Sequence, residues 1–148
     1  MPANPRFINP ETIAKPPGYT HVVEVTEPGR TIYIAGQLGF DADGKLAGGG
    51  GAGGAGGAGA AGDFRAQAEQ AFLNLEAALA AVGARVADVV KINNYIVGIS
   101  RNIAVFREVR DRHLNMAAPP ASTAVGVPEL ARPGALFEIE AIAVLPAA

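Results

Sequence analysis

The chain has 148 residues, 49% of them apolar and 18% charged, and its 12 Lys and Arg against 14 Asp and Glu give a net charge of −2. This is the balance of one folded domain long enough to bury its own core, without the clustered basic charge that nucleic-acid binding needs. There is no cysteine, which excludes disulfides, thiolate nucleophiles and cysteine zinc sites, and the two histidines, His21 and His113, fall far apart on different predicted elements, which argues against a histidine metal site.

The N-terminal MPANPRFINPET has no basic n-region and no apolar h-region, so it does not read as a secretory signal. No apolar run approaches the roughly 20 residues of a membrane span, and the expected location is the cytoplasm. Residues 1–18 are rich in proline and are expected to run extended as far as Gly18. HVVEV (21–25) and TIYIAG (31–36) follow as two strands. Pro28-Gly29 between them is placed for a type II turn, so the pair is expected to form a hairpin. Gly36 and Gly39 interrupt the continuation of the second strand, which suggests a bulge or a close approach by a ligand or another backbone.

GGGGAGGAGGAGAAG (48–62) has no side chain larger than a methyl and reads as a flexible surface loop. A phosphate-binding reading fails, since no Lys-Ser/Thr pair follows the glycines. Asp63 can cap a helix in which Phe64, Ala68, Phe72, Leu75, Leu79 and Val82 form one apolar stripe, with Gly83 as its stop. VVKINNYIV (89–97) is a further strand. Ser100 can cap a second helix with Ile103, Phe106, Val109, His113 and Leu114 along one face, and with Arg101, Arg107, Arg110 and Arg112 on a solvated remainder. ASTAVGV (121–127) and LFEIEAIAVL (136–145) are the last two strands. The order β-β-α-β-α-β-β predicts an α+β fold, a mixed sheet with both helices on one face. In the last strand Phe137, Ile139, Ala141, Ala143 and Leu145 should meet the helices. Leu136, Glu138, Glu140, Ile142 and Val144 point to the opposite face, whose apolar end argues for a partner subunit.

Glu138 and Glu140, two apart on one strand, share a face at about 7 Å. A carboxylate among apolar neighbours has its charged form disfavoured, which is how a general acid or base is tuned; the competing reading is a solvated or interfacial pair. Tyr19 can donate a hydrogen bond, His21 reads as structural, and Asn93, Asn94 and Tyr95 need partners if buried. Ser122 and Thr123 have no histidine or lysine beside them in sequence, which argues against a serine-type nucleophile.

Several of these stretches together resemble the RidA/YjgF family, formerly described as L-PSP endoribonuclease-like. They are Pro17-Gly18-Tyr19, IAGQ (34–37), DFRAQAEQAFLNLEAAL (63–79), ADVVKINNYI (87–96) and, most diagnostic, PPASTAVGV (119–127) and EIEAIAV (138–144). The resemblance covers one domain, residues 1–148 apart from the glycine loop. It implies a chorismate-mutase-like fold and a homotrimer with a central barrel-like core and three inter-subunit clefts that bind a small molecule. It also implies hydrolysis of reactive enamines and imines without any cofactor. Tyr19, Gly36 and Glu138 match cleft positions of such enzymes, with Tyr19 and Glu138 as the catalytic candidates. The departure lies in PPASTAVGV. Members that act on 2-aminoacrylate carry an arginine after Pro-Ala that grips the substrate carboxylate; here Ser122 stands there, Ala124 replaces a common cysteine, and Phe106 falls near a cleft asparagine. Gly36, Ser122, Thr123, Phe106 and Ala124 are therefore the expected ligand-binding residues of a hydrolase not tuned to 2-aminoacrylate. The alternatives are a non-catalytic trimeric ligand-binding protein and, more remotely, a ribonuclease. Neither nucleic acid nor membrane is an expected partner.

Overall fold

The computed structural model describes residues 5–27, 29–49 and 61–148. Its strands are β1 (Pro5–Ile8), β2 (Val22–Val25), β3 (Arg30–Leu38), β4 (Val89–Val97), β5 (Ala121–Val127) and β6 (Phe137–Leu145), and its helices are α1 (Ala61–Ala80) and α2 (Ile99–His113). A four-stranded sheet has the order β3-β6-β4-β5, with β6 antiparallel to both neighbours and β4 parallel to β5. Parallel neighbours need a crossover, which α2 supplies. Both helices pack on one sheet face.

The alternation read for the last strand holds from Phe137 to Leu145, whereas Leu136, expected on the opposite face, precedes the strand and is buried in the core. Phe137, Ile139, Ala141, Ala143 and Leu145 are buried, while Glu138, Glu140, Ile142 and Val144 are only half-buried on the other face. Phe64, Ala68, Ala71, Phe72, Leu75 and Leu79 of α1 and Phe106 and Val109 of α2 complete the core. Its centre is aromatic: the Phe137 ring lies 5.9 Å from Phe64, 5.9 Å from Phe72 and 5.6 Å from Phe106. α1 ends at Ala80, so Val82 lies past the helix and is exposed rather than part of its stripe. Gly83, at φ 74°, turns the chain so that the Ala84 amide donates back to the Leu79 carbonyl at 2.9 Å.

Four local expectations are corrected. The hairpin between the second and third strands does not form: β2 pairs antiparallel with β1, a strand inside the proline-rich start, and β3 pairs with β6. Residue 28, the centre of the expected turn, lies outside the described residues, as do residues 50–60 of the glycine loop; Gly48 and Gly49 close a short 3-10 turn, and Ala61 and Gly62 already belong to α1. Asp63 therefore stands inside the helix and not at its cap. Nor does Ser100 cap α2. Gly98, left-handed at φ 63°, makes the sharp exit from β4, and Asn102 one turn on donates to the Val97 carbonyl at 2.8 Å. Finally, Arg110 leaves the solvated face of α2 and is buried.

Candidate functional site

The open face of the sheet carries the carboxylate pair. Glu140 is well satisfied: the Tyr95 hydroxyl donates to its Oε1 at 2.6 Å and the Asn93 amide at 3.1 Å. That hydrogen bond to Glu140 holds the Tyr95 phenol above its usual pKa, helped by burial and by the charges of Glu140 and Glu138. Glu138 has no such donors among the described residues. Burial, and then the charge of Glu140, raise its carboxyl above the ordinary range. Of two carboxylates on one face, one is held as a hydrogen-bond acceptor and the other has its charged form disfavoured.

Gly36 explains the position of Glu138. The β3–β6 register shifts between Ile34 and Gln37, so one extra residue of β3 bulges out. A Cβ at Gly36 would overlap the Glu138 carboxylate. Gly39 serves packing instead, since a Cβ there would strike the backbone of Gln67 in α1. Gln67, fully buried, also receives the Leu136 amide at 2.8 Å and donates to the Gly134 carbonyl at 3.1 Å, fixing the entry into β6. Beside the carboxylates, Tyr33, Lys91, Asn93, Glu140 and Ile142 line a shallow hollow. Tyr33 is 78% exposed there.

The other predicted residues gather elsewhere. Thr20 bridges to Ala121, its amide donating to the Pro120 carbonyl at 3.2 Å, so Tyr19 sits at the start of β5. Its ring meets His21 edge-on at 5.4 Å, and His21 in turn lies 2.8 Å from the Ala14 carbonyl, which confirms a fastening role for that histidine. Ser122 and Thr123 point to opposite faces. Ser122 accepts from the buried Asn94 amide at 3.1 Å on the helix side, whereas Thr123 meets the Lys91 ammonium at 3.1 Å on the open side. Ala124 is exposed on the edge strand. Phe106 is not a lining residue within this chain: it is 2% exposed in the aromatic core.

Register gives the separation of the two groups. Glu138 shares a row with Tyr95 and Val125, and Ala121, beside Tyr19, shares one with Lys91. Four residues along β5 are about 13 Å and two strand spacings about 10 Å, so Tyr19 and Glu138 are on the order of 15 Å apart. Ser122 and Glu138 also lie on opposite sides of the sheet. The sequence-predicted site residues thus fall into two groups, Gly36 with Glu138 and Tyr19 with Ser122 and Ala124. No small substrate spans both within one chain. Among the described residues no group of three His, Asp or Glu side chains is arranged to hold a metal ion, and no helix is long and apolar enough to cross a membrane.

A mixed sheet backed by two helices, with a tuned glutamate beside a bulge glycine and a serine-threonine edge strand, defines a class of small α+β domains. The sequence model described as Endoribonuclease L-PSP matches residues 12–145, and the chain belongs to this family, the RidA/YjgF family. It is 33% identical over 143 residues to the 2-iminobutanoate/2-iminopropanoate deaminase of Dermatophagoides farinae, covering 95% of this chain and 96% of that protein. Among solved structures it is similar to the Rid-family protein YyfB of Yersinia pestis, of unknown function, at 35% identity and TM-score 0.74 over 96% of this chain and 99% of that one. It is also similar to RidA from the Antarctic bacterium Psychrobacter, at 37% identity and TM-score 0.65 over 88% and 91%.

Proposed function

We propose that the protein is a cofactor-free hydrolase of small enamines or imines, working as a homotrimer whose clefts join the two half-sites across subunit boundaries. The observation that carries this reading is the division of the site: residues suited to one reaction lie on two parts of the chain too far apart to meet. The exposed Tyr33 and Val125 of the open face, and the edge of β5 beyond the Thr20–Ala121 bridge, which has no strand neighbour among the described residues, give a second copy both apolar area and backbone to cover. The likeness to a named imine deaminase supports the reaction class.

The chemistry asks for little. An enamine is protonated at carbon to an iminium, or an imine at nitrogen. Water then adds to the electrophilic carbon as Glu138 takes one of its protons. The same proton passes to nitrogen, the hydroxyl proton goes to the freed Glu138 carboxylate as the carbon–nitrogen bond breaks, and ammonia leaves a carbonyl product. A carboxyl whose charged form is disfavoured can both give and take that proton. The Tyr19 hydroxyl donates to the developing charge from the facing half-site, while Ser122 contacts a polar substrate group. With Ser122 in place of arginine, 2-aminoacrylate is not the preferred substrate.

The test couples a threonine dehydratase, which generates 2-iminobutanoate, to detection of the imine and of the keto acid. The wild type should speed imine loss in the micromolar range of enzyme and Glu138→Gln should not. The Ser122 substitution favours one rival, a trimer that binds a ligand without turning it over. Wild-type protein that binds a keto acid but leaves the imine lifetime unchanged would establish that rival.

A further inference from the structure

We infer that Arg110 of α2 supplies the anion-binding cation that β5 lacks at Ser122, and that the substrate of this cleft is a carboxylate longer than the three-carbon 2-aminoacrylate. The inference rests on the reading of the Tyr19–Ser122 half-site as part of the active cleft.

Arg110 is an unusual arginine. Its side chain is 8% exposed, yet its one acidic partner among the described residues is its own neighbour Asp111, which is 51% exposed. A single oxygen of Asp111 takes Nε at 2.9 Å and lies 2.8 Å from Nη2. A buried guanidinium ordinarily needs fuller pairing, and this one has a half-exposed surface carboxylate in its fork. The Phe106 ring supports it from below, 5.8 Å from the guanidinium carbon. Phe106 thus touches the site indirectly, by holding this cation at i+4 on the same helix face.

Above the guanidinium lies Gly18. A Cβ there would overlap Nη2 and come within 3.2 Å of Nη1. Gly18 also lines a hollow of about 560 Å3 together with Pro16, Tyr19, Met116 and Pro119, a volume suited to a small metabolite. Gly18, which has no side chain, thus both lies against the cation and lines the hollow beside Tyr19. Gly18 is two residues, about 7 Å of extended chain, from Thr20, which is bridged to Ala121 next to Ser122.

Ser122 faces the same side of the sheet. Gly126 of β5 packs on Ile99 at the start of α2, so the helix runs back along β5 and brings Arg110 to the Ser122 end. Beneath Ser122, Asn94 is fully buried and its Oδ1 has no partner, which leaves an acceptor waiting for a donor in the same polar corner. The side chains at 122 and 124 are small. A substrate carboxylate that displaces Asp111 from the fork gains a bidentate contact. Its reactive carbon must then lie further from the carboxylate-binding end than an arginine at position 122 would allow, which selects longer substrates.

The experiment measures binding of 2-oxobutanoate and of its neutral analogue 2-oxobutanamide to the full chain, by calorimetry and ligand-observed NMR. The wild type should prefer the carboxylate at least tenfold. Arg110→Met should remove that preference, Arg110→Lys should keep part of it, and Arg110→Met with Ser122→Arg should regain it. In turnover, Arg110→Lys should raise KM for 2-iminobutanoate with little change in kcat, a split that a merely structural arginine would not give. Equal wild-type binding of acid and amide would overturn the inference, and so would a folded Arg110→Met with its preference intact. Should Arg110→Met fail to fold, a folded Arg110→Lys with wild-type KM and preference is the overturning result. Arg110-dependent carboxylate binding without any turnover would refute the hydrolase and leave this inference standing.

Discussion

Gly36 lies against the carboxylate of Glu138 so closely that any β-carbon at that position would take its space. The contact is with the far end of a flexible side chain, and Gly36 is not held at positive φ, so substitution moves the carboxylate rather than the backbone. Gly36→Ala should therefore leave the melting temperature within a few degrees while lowering kcat/KM on the imine roughly 100-fold, the usual cost of misplacing a reacting group by an ångström. Thermal unfolding beside the coupled assay checks both halves. A fully active, stable alanine variant would show that Glu138 is not positioned by this glycine.

The same carboxylate gives a signed pH prediction. Burial, with the charge of Glu140, raises Glu138 above its unfolded value. Between the ordinary and the raised pKa the folded state therefore binds more protons than the unfolded one, and stability falls as pH rises through that window. Glu138→Gln removes this dependence: the variant should be at least as stable as wild type above the window, with a flatter stability profile. It should also lose roughly 100- to 10,000-fold in kcat, as expected for removal of a proton-transfer group. Denaturant unfolding from pH 4 to 8 tests the first statement, and a variant less stable than wild type at pH 8 would contradict it.

A third prediction concerns the helix layer, away from either half-site. His113 of α2 sits between two carboxylates of α1, its ring nitrogens 2.9 Å from Glu76 and 2.6 Å from Glu69, and stacks on Phe72 at 5.1 Å. It bolts the two helices together. His113→Leu keeps apolar contact with Phe72 but strips both carboxylates of a partner, which should cost roughly 1–3 kcal/mol. Activity per folded molecule should not change. A variant as stable as wild type in chemical denaturation would show the bolt to be idle.

What the sequence made legible was local periodicity. Alternation in 137–145 assigned every residue of β6 to its face, and the stripe from Phe64 to Leu79 placed α1, because both signals repeat within a few residues. Partner choice was not legible in this way. That Val22–Val25 pairs with Pro5–Ile8 and not with β3 depends on where the sheet already has neighbours, and Pro5 and Pro10 hid a strand at the edge. Arg110 was misplaced because the charge pattern of α2 treats every arginine as solvated, while position 110 follows Val109 and lies one turn beyond Phe106, on the border of the apolar stripe. Its long stem is as suited to burial as to snorkelling. The family resemblance grouped Tyr19, Gly36 and Glu138 as cleft positions, and nothing local in the sequence tells that Tyr19 and Ser122 stand apart from Glu138 within one chain.

That separation supplies the last prediction. If each cleft takes Tyr19 and Ser122 from one subunit and Glu138 from the next, Tyr19→Phe and Glu138→Gln damage different halves of the site. In a trimer built wholly from either variant every cleft carries one defect. When the two are co-expressed at equal levels, a cleft is intact only where a Glu138→Gln subunit offers its Tyr19 half to the Glu138 half of a Tyr19→Phe neighbour. Random assembly in a closed ring makes this true for about one cleft in four. Mixed trimers, isolated through two different affinity tags and so freed of both pure forms, hold one such cleft in three and should recover about a third of wild-type kcat while both pure variants stay nearly inactive. Sedimentation should give a trimer for all of them. A cleft confined to one chain would give mixtures no better than the average of the two variants, and a stable monomer at micromolar concentration would remove the two-subunit site altogether.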